Sequence, residues 1–289
     1  MRNKLFGFCL LIGWGCLPLF SQPIDVLLIG GQSNATGQGY LVNLPAQFKT
    51  DQRVLIYYSK YLKQGAQSET WQPLCAASED AERFGVELSL GTSLQQRLPK
   101  QKFAIIKHAT SGSNLYQQWN PGNRTGQKQG EEYARFIATV KQGLEKLKKQ
   151  GYTPRVMAMV WQQGESDGDE VAGIDNAKAY TANLTNLIDA VRQQLKAPEM
   201  LFVYGEVIPY PTHFPEGRKA IRDAQLEVCQ SSHSSHSVRR AFLVEADDLQ
   251  MRAHEYHSPY PQDFVHLGTY GVLQLGERFA EMIVEQQNK

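Results

Sequence analysis

Residues 24–34 run Ile24-Asp25-Val26-Leu27-Leu28-Ile29-Gly30-Gly31-Gln32-Ser33-Asn34, a branched apolar stretch that stops at two glycines and a polar turn. So short a run, rich in Val, Leu and Ile, has the pattern of a strand buried on both faces of a parallel sheet. The glycines mark a place where the backbone turns sharply or is closely approached. Arg53 to Tyr58, Phe103 to His108, Val156 to Trp161 and Leu201 to Val207 repeat the pattern, and Phe242-Leu243-Val244 offers one strand more. Among these, Glu82 to Leu98, Glu131 to Gln150 and Tyr180 to Leu195 carry apolar residues at three- and four-residue steps, as in Leu184, Leu187, Ile188, Val191 and Leu195. That is the spacing of helices with one apolar face, and Thr269 to Glu285 is read as a last helix. Strands alternating with helices predict an α/β fold with a central, mostly parallel five-stranded sheet covered on both faces.

The composition fits one folded domain. The chain has 289 residues, 42% of them hydrophobic and 20% charged, which excludes disorder, coiled coil and collagen. Thirty Lys and Arg stand against 29 Asp and Glu, a formal net charge of +1, and no long basic run creates a local field for nucleic acid. At the start, Met1-Arg2-Asn3-Lys4 is basic and Leu5 to Phe20 is apolar, the pattern of a secretory signal. The apolar run is shorter than the roughly 20 residues of a membrane span, and Gly7, Gly13, Gly15 and Pro18 interrupt it. The expectation is a signal peptide over residues 1–21, a single domain over 22–289, and export to the periplasm or beyond without stable membrane insertion. Cys9 and Cys16 would leave with the signal. Cys75 and Cys229 would remain, either paired or as two buried thiols.

In an open parallel sheet the ligand site lies beyond the carboxyl ends of the strands. Four segments fall there: Gly30-Gly31-Gln32-Ser33-Asn34, Ala109-Thr110-Ser111-Gly112-Ser113-Asn114, Trp161-Gln162-Gln163-Gly164-Glu165-Ser166-Asp167, and Asp263-Phe264-Val265-His266. A serine nucleophile needs a base and a group that orients the base. Ser33, His266 and Asp263 supply one of each. Backbone amides of Ser33 and Gly112 would face a developing oxyanion, with the Gln163 amide as third donor. Each segment alone has an ordinary explanation, as a turn, a helix cap or a strand end. Their convergence on one rim points to acyl transfer. Gly31-x-Ser33-x-Ala35 lacks the last glycine of a nucleophile elbow, and the glycines fit neither a dinucleotide loop nor a P-loop. Glu165, Asp167, Asp169 and Glu170 match no glycosidase or calcium spacing and read as a solvated acidic loop with Glu165 turned into the site. The pairs His233/His236 and His254/His257 lack further ligands, so neither metal nor cofactor is expected.

With Phe84-Gly85-Val86-Glu87-Leu88 and Asp263-x-x-His266-Leu267, these blocks resemble the SGNH hydrolase superfamily and, within it, carbohydrate esterase family six and the sialate O-acetylesterases. The resemblance implies a flavodoxin-like three-layer α/β/α sandwich, with Ser33 as nucleophile, His266 as base and Asp263 as its partner. It also implies an oxyanion hole from Ser33, Gly112 and Gln163, where the wider superfamily often has Asn for Gln163, and Ser111 stands where the group often has a first glycine. Gln32, Asn34 and Glu165 are expected to support the site. The implied activity is removal of O-acetyl groups from a small-molecule or polysaccharide ester, such as acetylated xylan, another glycan or sialic acid. Aryl or lipid ester hydrolysis, acyl transfer, and sugar binding without turnover are the alternatives. Trp119, with Tyr116 and Trp71 as lesser candidates, would stack on a sugar ring.

Overall fold

The computed structural model describes residues 21–62, 68–122, 128–208 and 214–287, so the expected signal peptide lies outside the described residues apart from Ser21. In chain order, β1 (Gln22–Gly31) leads through a helical turn α1 (Ser33–Thr36) and β2 (Gly39–Tyr40) to β3 (Leu55–Tyr58). Two short strands, β4 (Gln72–Pro73) and β5 (Arg83–Phe84), precede α2 (Glu87–Arg97). Then follow β6 (Phe103–Lys107), α3 (Glu131–Lys149), β7 (Tyr152–Gln162), α4 (Ile174–Lys178) and α5 (Tyr180–Gln194). The chain ends with β8 (Leu201–Gly205), α6 (Pro215–Val228), β9 (Ala241–Val244) and α7 (Thr269–Gln287).

The main sheet has seven strands in the order β4-β3-β6-β1-β7-β8-β9 rather than the five expected. All neighbours pair in parallel except β4, which runs antiparallel to β3 at the edge. The five apolar runs are all present, β9 is the additional strand seen at 242–244, and β4 has two residues, too few to show any periodicity. Helix α2 begins at Glu87 instead of Glu82 because Arg83–Phe84 pairs with Gly39–Tyr40 as a separate two-stranded ribbon. Helices α4 and α6 were not anticipated. The buried face of α6 holds Ile221, Ala224 and Val228 between many charges, too faint an apolar stripe to read from sequence.

Alternation along β1 decides the layers. Leu27 and Ile29 face a core with Leu90 and Leu94 of α2 and Val272, Leu275 and Phe279 of α7. Val26 and Leu28 face the opposite core, with Phe136 and Val140 of α3, Leu184, Leu187 and Ile188 of α5, and Ile221 of α6. After β1 the chain moves outward to β3, returns through α2 to β6 beside β1, and crosses to β7 on the other flank. The crossover directions therefore diverge between β1 and β7, and the crevice opens at the carboxyl ends of those two strands. Gly31 closes the seam there with a φ of +135°, and a Cβ on it would sit 2.1 Å from the Gln162 carbonyl oxygen. Cys75 and Cys229 are both free thiols. No helix among the described residues is long and apolar enough to cross a membrane.

Replacing Gly31 by Ala must shift β1 from β7 or strain the backbone. We expect Gly31→Ala to lower unfolding stability by at least about 2 kcal/mol in urea titration, whereas the exposed Val42→Ala stays within about 0.5 kcal/mol.

Candidate active site

Ser33 is the first residue of α1, placed directly above the end of β1. Its Oγ lies 2.9 Å from Nε2 of His266, whose Nδ1 lies 2.8 Å from Oδ2 of Asp263. Asp263 Oδ1 accepts the backbone N–H groups of Val265 and His266 at 3.2 and 3.0 Å, so one tight turn presents base and partner together. Burial would raise the Asp263 carboxyl. The hydrogen bond and charge of His266, with those backbone N–H groups, outweigh it and hold the carboxyl below its usual value.

Arg252, which the sequence did not single out, braces this pair. Its Nη1 donates to Asp263 Oδ2 at 3.2 Å and to Gln38 Oε1 at 3.0 Å, and its Nη2 donates to the Tyr40 hydroxyl at 2.6 Å. Nothing in the local sequence marks Arg252, because its partners come from β2 and from the turn ahead of α7. Asn34 joins the two halves of the site. Its amide donates to Glu165 Oε1 at 2.8 Å and to the Val265 carbonyl at 3.1 Å, while its Oδ1 accepts the Leu267 N–H at 3.0 Å. Asn34 and Glu165 thus hold the serine and histidine segments in register, as supporting residues.

Glu87, from the Phe84-to-Leu88 block, forms a wholly buried ion pair with Lys107 at 2.5 Å, and Lys107 also donates to the Thr36 carbonyl at the end of α1. Burial pulls the Lys107 ammonium down against the attraction of Glu87. Beyond β6, Glu132 accepts from His108 at 2.8 Å and from the Thr110 hydroxyl at 2.6 Å, anchoring the loop that carries Gly112.

The geometry treats the three expected oxyanion donors, Ser33, Gly112 and Gln163, differently. Among the described residues, neither the Ser33 nor the Gly112 backbone N–H has an acceptor, and both residues line the cleft. Gly112 adopts a left-handed φ of +72° with open space at its Cβ position, so its glycine requirement is conformational. The Gln163 side chain does not face the cleft. It is fully buried, and its amide donates to Asp167 Oδ2 at 2.6 Å, to Gln32 Oε1 at 3.1 Å and to the Ser113 carbonyl at 3.4 Å. With its N–H groups engaged there, none is left for an oxyanion. Gln32 has the complementary arrangement. Its Oε1 accepts from Gln163 and from the backbone N–H groups of Gly164 and Ser166, at 3.1, 3.3 and 3.1 Å. Three donors on the oxygen fix the amide orientation and leave its NH2, without an acceptor among the described residues, as the unspent end of a residue that lines the cleft.

Asp167 is the keystone of that bracing. Wholly buried rather than solvated, it accepts the N–H groups of Leu115 and Tyr116 at 2.7 and 2.9 Å as well as the Gln163 amide, tying the loop after β6 to the loop after β7. Burial pushes its carboxyl up to about 6 despite these hydrogen bonds. Only Asp169 and Glu170 of the four acidic residues sit toward solvent.

Trp119 is not at the substrate surface. It is fully buried, its ring 4.9 Å from that of Trp161 and its indole N–H bonded to Ser113 Oγ at 2.8 Å, so the apolar core claims it. Trp71 packs on Tyr57 and donates to the Gly143 carbonyl, and Tyr116 lies outside the cleft lining. Among the described residues, Tyr260 is the tyrosine that lines the cleft, of about 780 Å³, and it is stacked over the Arg252 guanidinium. His254 and His257 pack edge-on against Phe264 and Tyr256, and no group of three metal-ligating side chains assembles among the described residues.

The fold has counterparts among solved structures. A protein from Arabidopsis thaliana superposes with a TM-score of 0.67 at 18% identity, over 91% of this chain and 99% of that one. The protein NanS superposes with a TM-score of 0.68 at 14% identity, over 93% of this chain and 98% of that one. A carbohydrate acetylesterase from Xanthomonas citri matches at 0.57 and 15% identity, over 89% of this chain and 55% of the longer one. These likenesses show the fold, and no curated protein matches the chain in sequence. The family model of carbohydrate esterases described as sialic acid-specific acetylesterases matches residues 23–285, a span containing all four segments of the site, and the chain belongs to that family of ester hydrolases.

Proposed function

We propose that this chain is an exported serine esterase that removes O-acetyl groups from a carbohydrate. The observation that carries the reading is the line Asp263–His266–Ser33, hydrogen-bonded at 2.8 and 2.9 Å and open to a cleft with unspent N–H donors. Membership of an acetylesterase family supports the acetyl group and the sugar, and the basic start followed by the apolar run of residues 5–20 supports export.

Ser33 Oγ attacks the ester carbonyl while His266 Nε2 takes its proton, and the Asp263 carboxylate stabilises the imidazolium that forms. The carbonyl oxygen becomes an oxyanion facing the N–H groups of Ser33, Gly112 and the Gln32 side chain. These donors act on charge that exists only after the attack has begun, so their binding energy lowers the barrier rather than the ground state. The ester C–O bond then breaks, His266 returns the proton to the sugar alkoxide, and the acetyl group stays on Ser33. Water deprotonated by His266 attacks the acetyl carbonyl, acetate leaves, and Ser33 regains its proton.

Ser33→Ala should abolish hydrolysis of p-nitrophenyl acetate and of acetylated glycans; equal turnover by variant and wild type would overturn the serine mechanism. Gln32→Ala should lower kcat about 100-fold with a much smaller change in KM, the signature of a lost oxyanion donor. Only the neutral ring of His266 takes a proton, so kcat/KM should fall toward acid pH.

Unfolding should not explain the acid limb. Asp263, held below its usual value, contributes stability that is present above the unfolded carboxylate range, about pH 4, and lost only as pH falls further. Asp167, raised to about 6, takes up its proton in the folded chain first and adds stability as pH falls from 7 to 5. Thermal melts at pH 5 should therefore show the fold intact where activity has already dropped.

A further inference from the structure

Three arginines line the cleft with Ser33 and His266: Arg83, Arg218 and Arg252. Two have carboxylate partners, Arg252 with Asp263 at 3.2 Å and Arg83 with Asp80 at 3.4 Å. Arg218 has none within 4 Å among the described residues, although Glu79, Glu165, Asp169 and Glu170 line the same cleft. Its Nη1 donates to the Ile208 carbonyl at 3.1 Å, its Nη2 makes no hydrogen bond with the described residues, and its Nε is buried without a partner. The residue is only 7% exposed.

Such a placement is costly twice over. A buried guanidinium without a counter-ion loses its hydration and gains little in return. Arg218 also occupies the first turn of α6, the end of a helix whose aligned peptide dipoles disfavour positive charge. Its position is not accidental to the site. The Gly217 backbone packs so tightly on Gly168 that a Cβ at 217 would meet the Gly168 carbonyl oxygen at 2.8 Å, which fixes the start of α6 against the loop carrying Glu165 and Asp167.

We infer that Arg218 is the specificity-determining residue of this cleft, taking a carboxylate on the same sugar whose O-acetyl group Ser33 attacks. The inference rests on the esterase reading above. A neutral glycan offers only hydroxyls, which solvate a guanidinium but do not neutralise it. A carboxylate supplies both a counter-charge and strong acceptors for the N–H groups of Arg218. Arg218 is thus the residue by which the cleft tells an O-acetylated sugar acid, the substrate class that the family's description already names, from an O-acetylated neutral glycan.

The test follows acetate release by wild type, Arg218→Gln and Arg218→Lys from an O-acetylated sialic acid, from its carboxyl methyl ester and from acetylated xylo-oligosaccharides, with p-nitrophenyl acetate as reference. Wild type should show a KM for the acid about 10- to 100-fold below that for the methyl ester, the range of one charge-assisted contact. Arg218→Gln should collapse that ratio toward one, and Arg218→Lys should restore part of it. A purely structural role would move the KM of acid and methyl ester together and leave the ratio intact, which overturns the proposal. Should Arg218→Gln fail to fold, the wild-type ratio and competitive inhibition by free sialic acid against its methyl ester decide alone, and equal values for acid and ester overturn it. A wild type active on p-nitrophenyl acetate yet indifferent to the carboxylate sinks only the role of Arg218. One inert on every ester sinks the esterase reading as well.

Discussion

The backbone contact at the seam of β1 and β7 governs what lies above it. Gly31 passes so close to the Gln162 carbonyl that no side chain fits, and Gln32 then donates its own N–H to that same carbonyl at 3.0 Å. The chain leaves the sheet at once, and α1 begins one residue later with Ser33 at its head. A looser exit would lift the serine away from the loop after β7, and with it the distance to His266, a residue 233 positions further along. The central seam of the sheet thus sets a tolerance that the catalytic geometry inherits.

Around that point several buried polar groups find their partners on other segments of the chain. Asp167 collects three N–H donors from two loops, Glu87 neutralises Lys107 beneath α1, and Asn34 clips the serine turn to the histidine turn. Buried polar groups of this kind cost stability when a partner is removed, so the network holds the loops in one arrangement. It also sorts two chemically identical side chains into different tasks. Gln163 turns its amide inward to Asp167, and the Gln32 amide, with its oxygen occupied, keeps its nitrogen for the cleft.

The same logic applies to charge. Arg252 and Lys107 are buried cations with carboxylates at hand, and both brace parts of the site. Arg218 shares their burial without such a partner among the described residues, and the contrast among otherwise similar residues is what gives it meaning.

The sequence by itself determined the layer order, because buried parallel strands must be apolar on both faces, and it located the four site segments, because ligands gather beyond strand ends. That Ser33, Asp263 and His266 would come together was legible too, because residue type and local spacing single them out. What escaped was short, faint or distant. β4 has too few residues for a period, the apolar stripe of α6 is lost among charges, and Arg252 reaches its partners only across the fold. Trp119 looked like a sugar platform, but a ring flanking the site in sequence can equally fill the core beneath it, as this one does. Likewise the choice between Gln32 and Gln163 turns on which amide finds Asp167. Only the tertiary structure decides that, because hydrogen-bond partners from distant loops are fixed by packing and not by spacing along the chain.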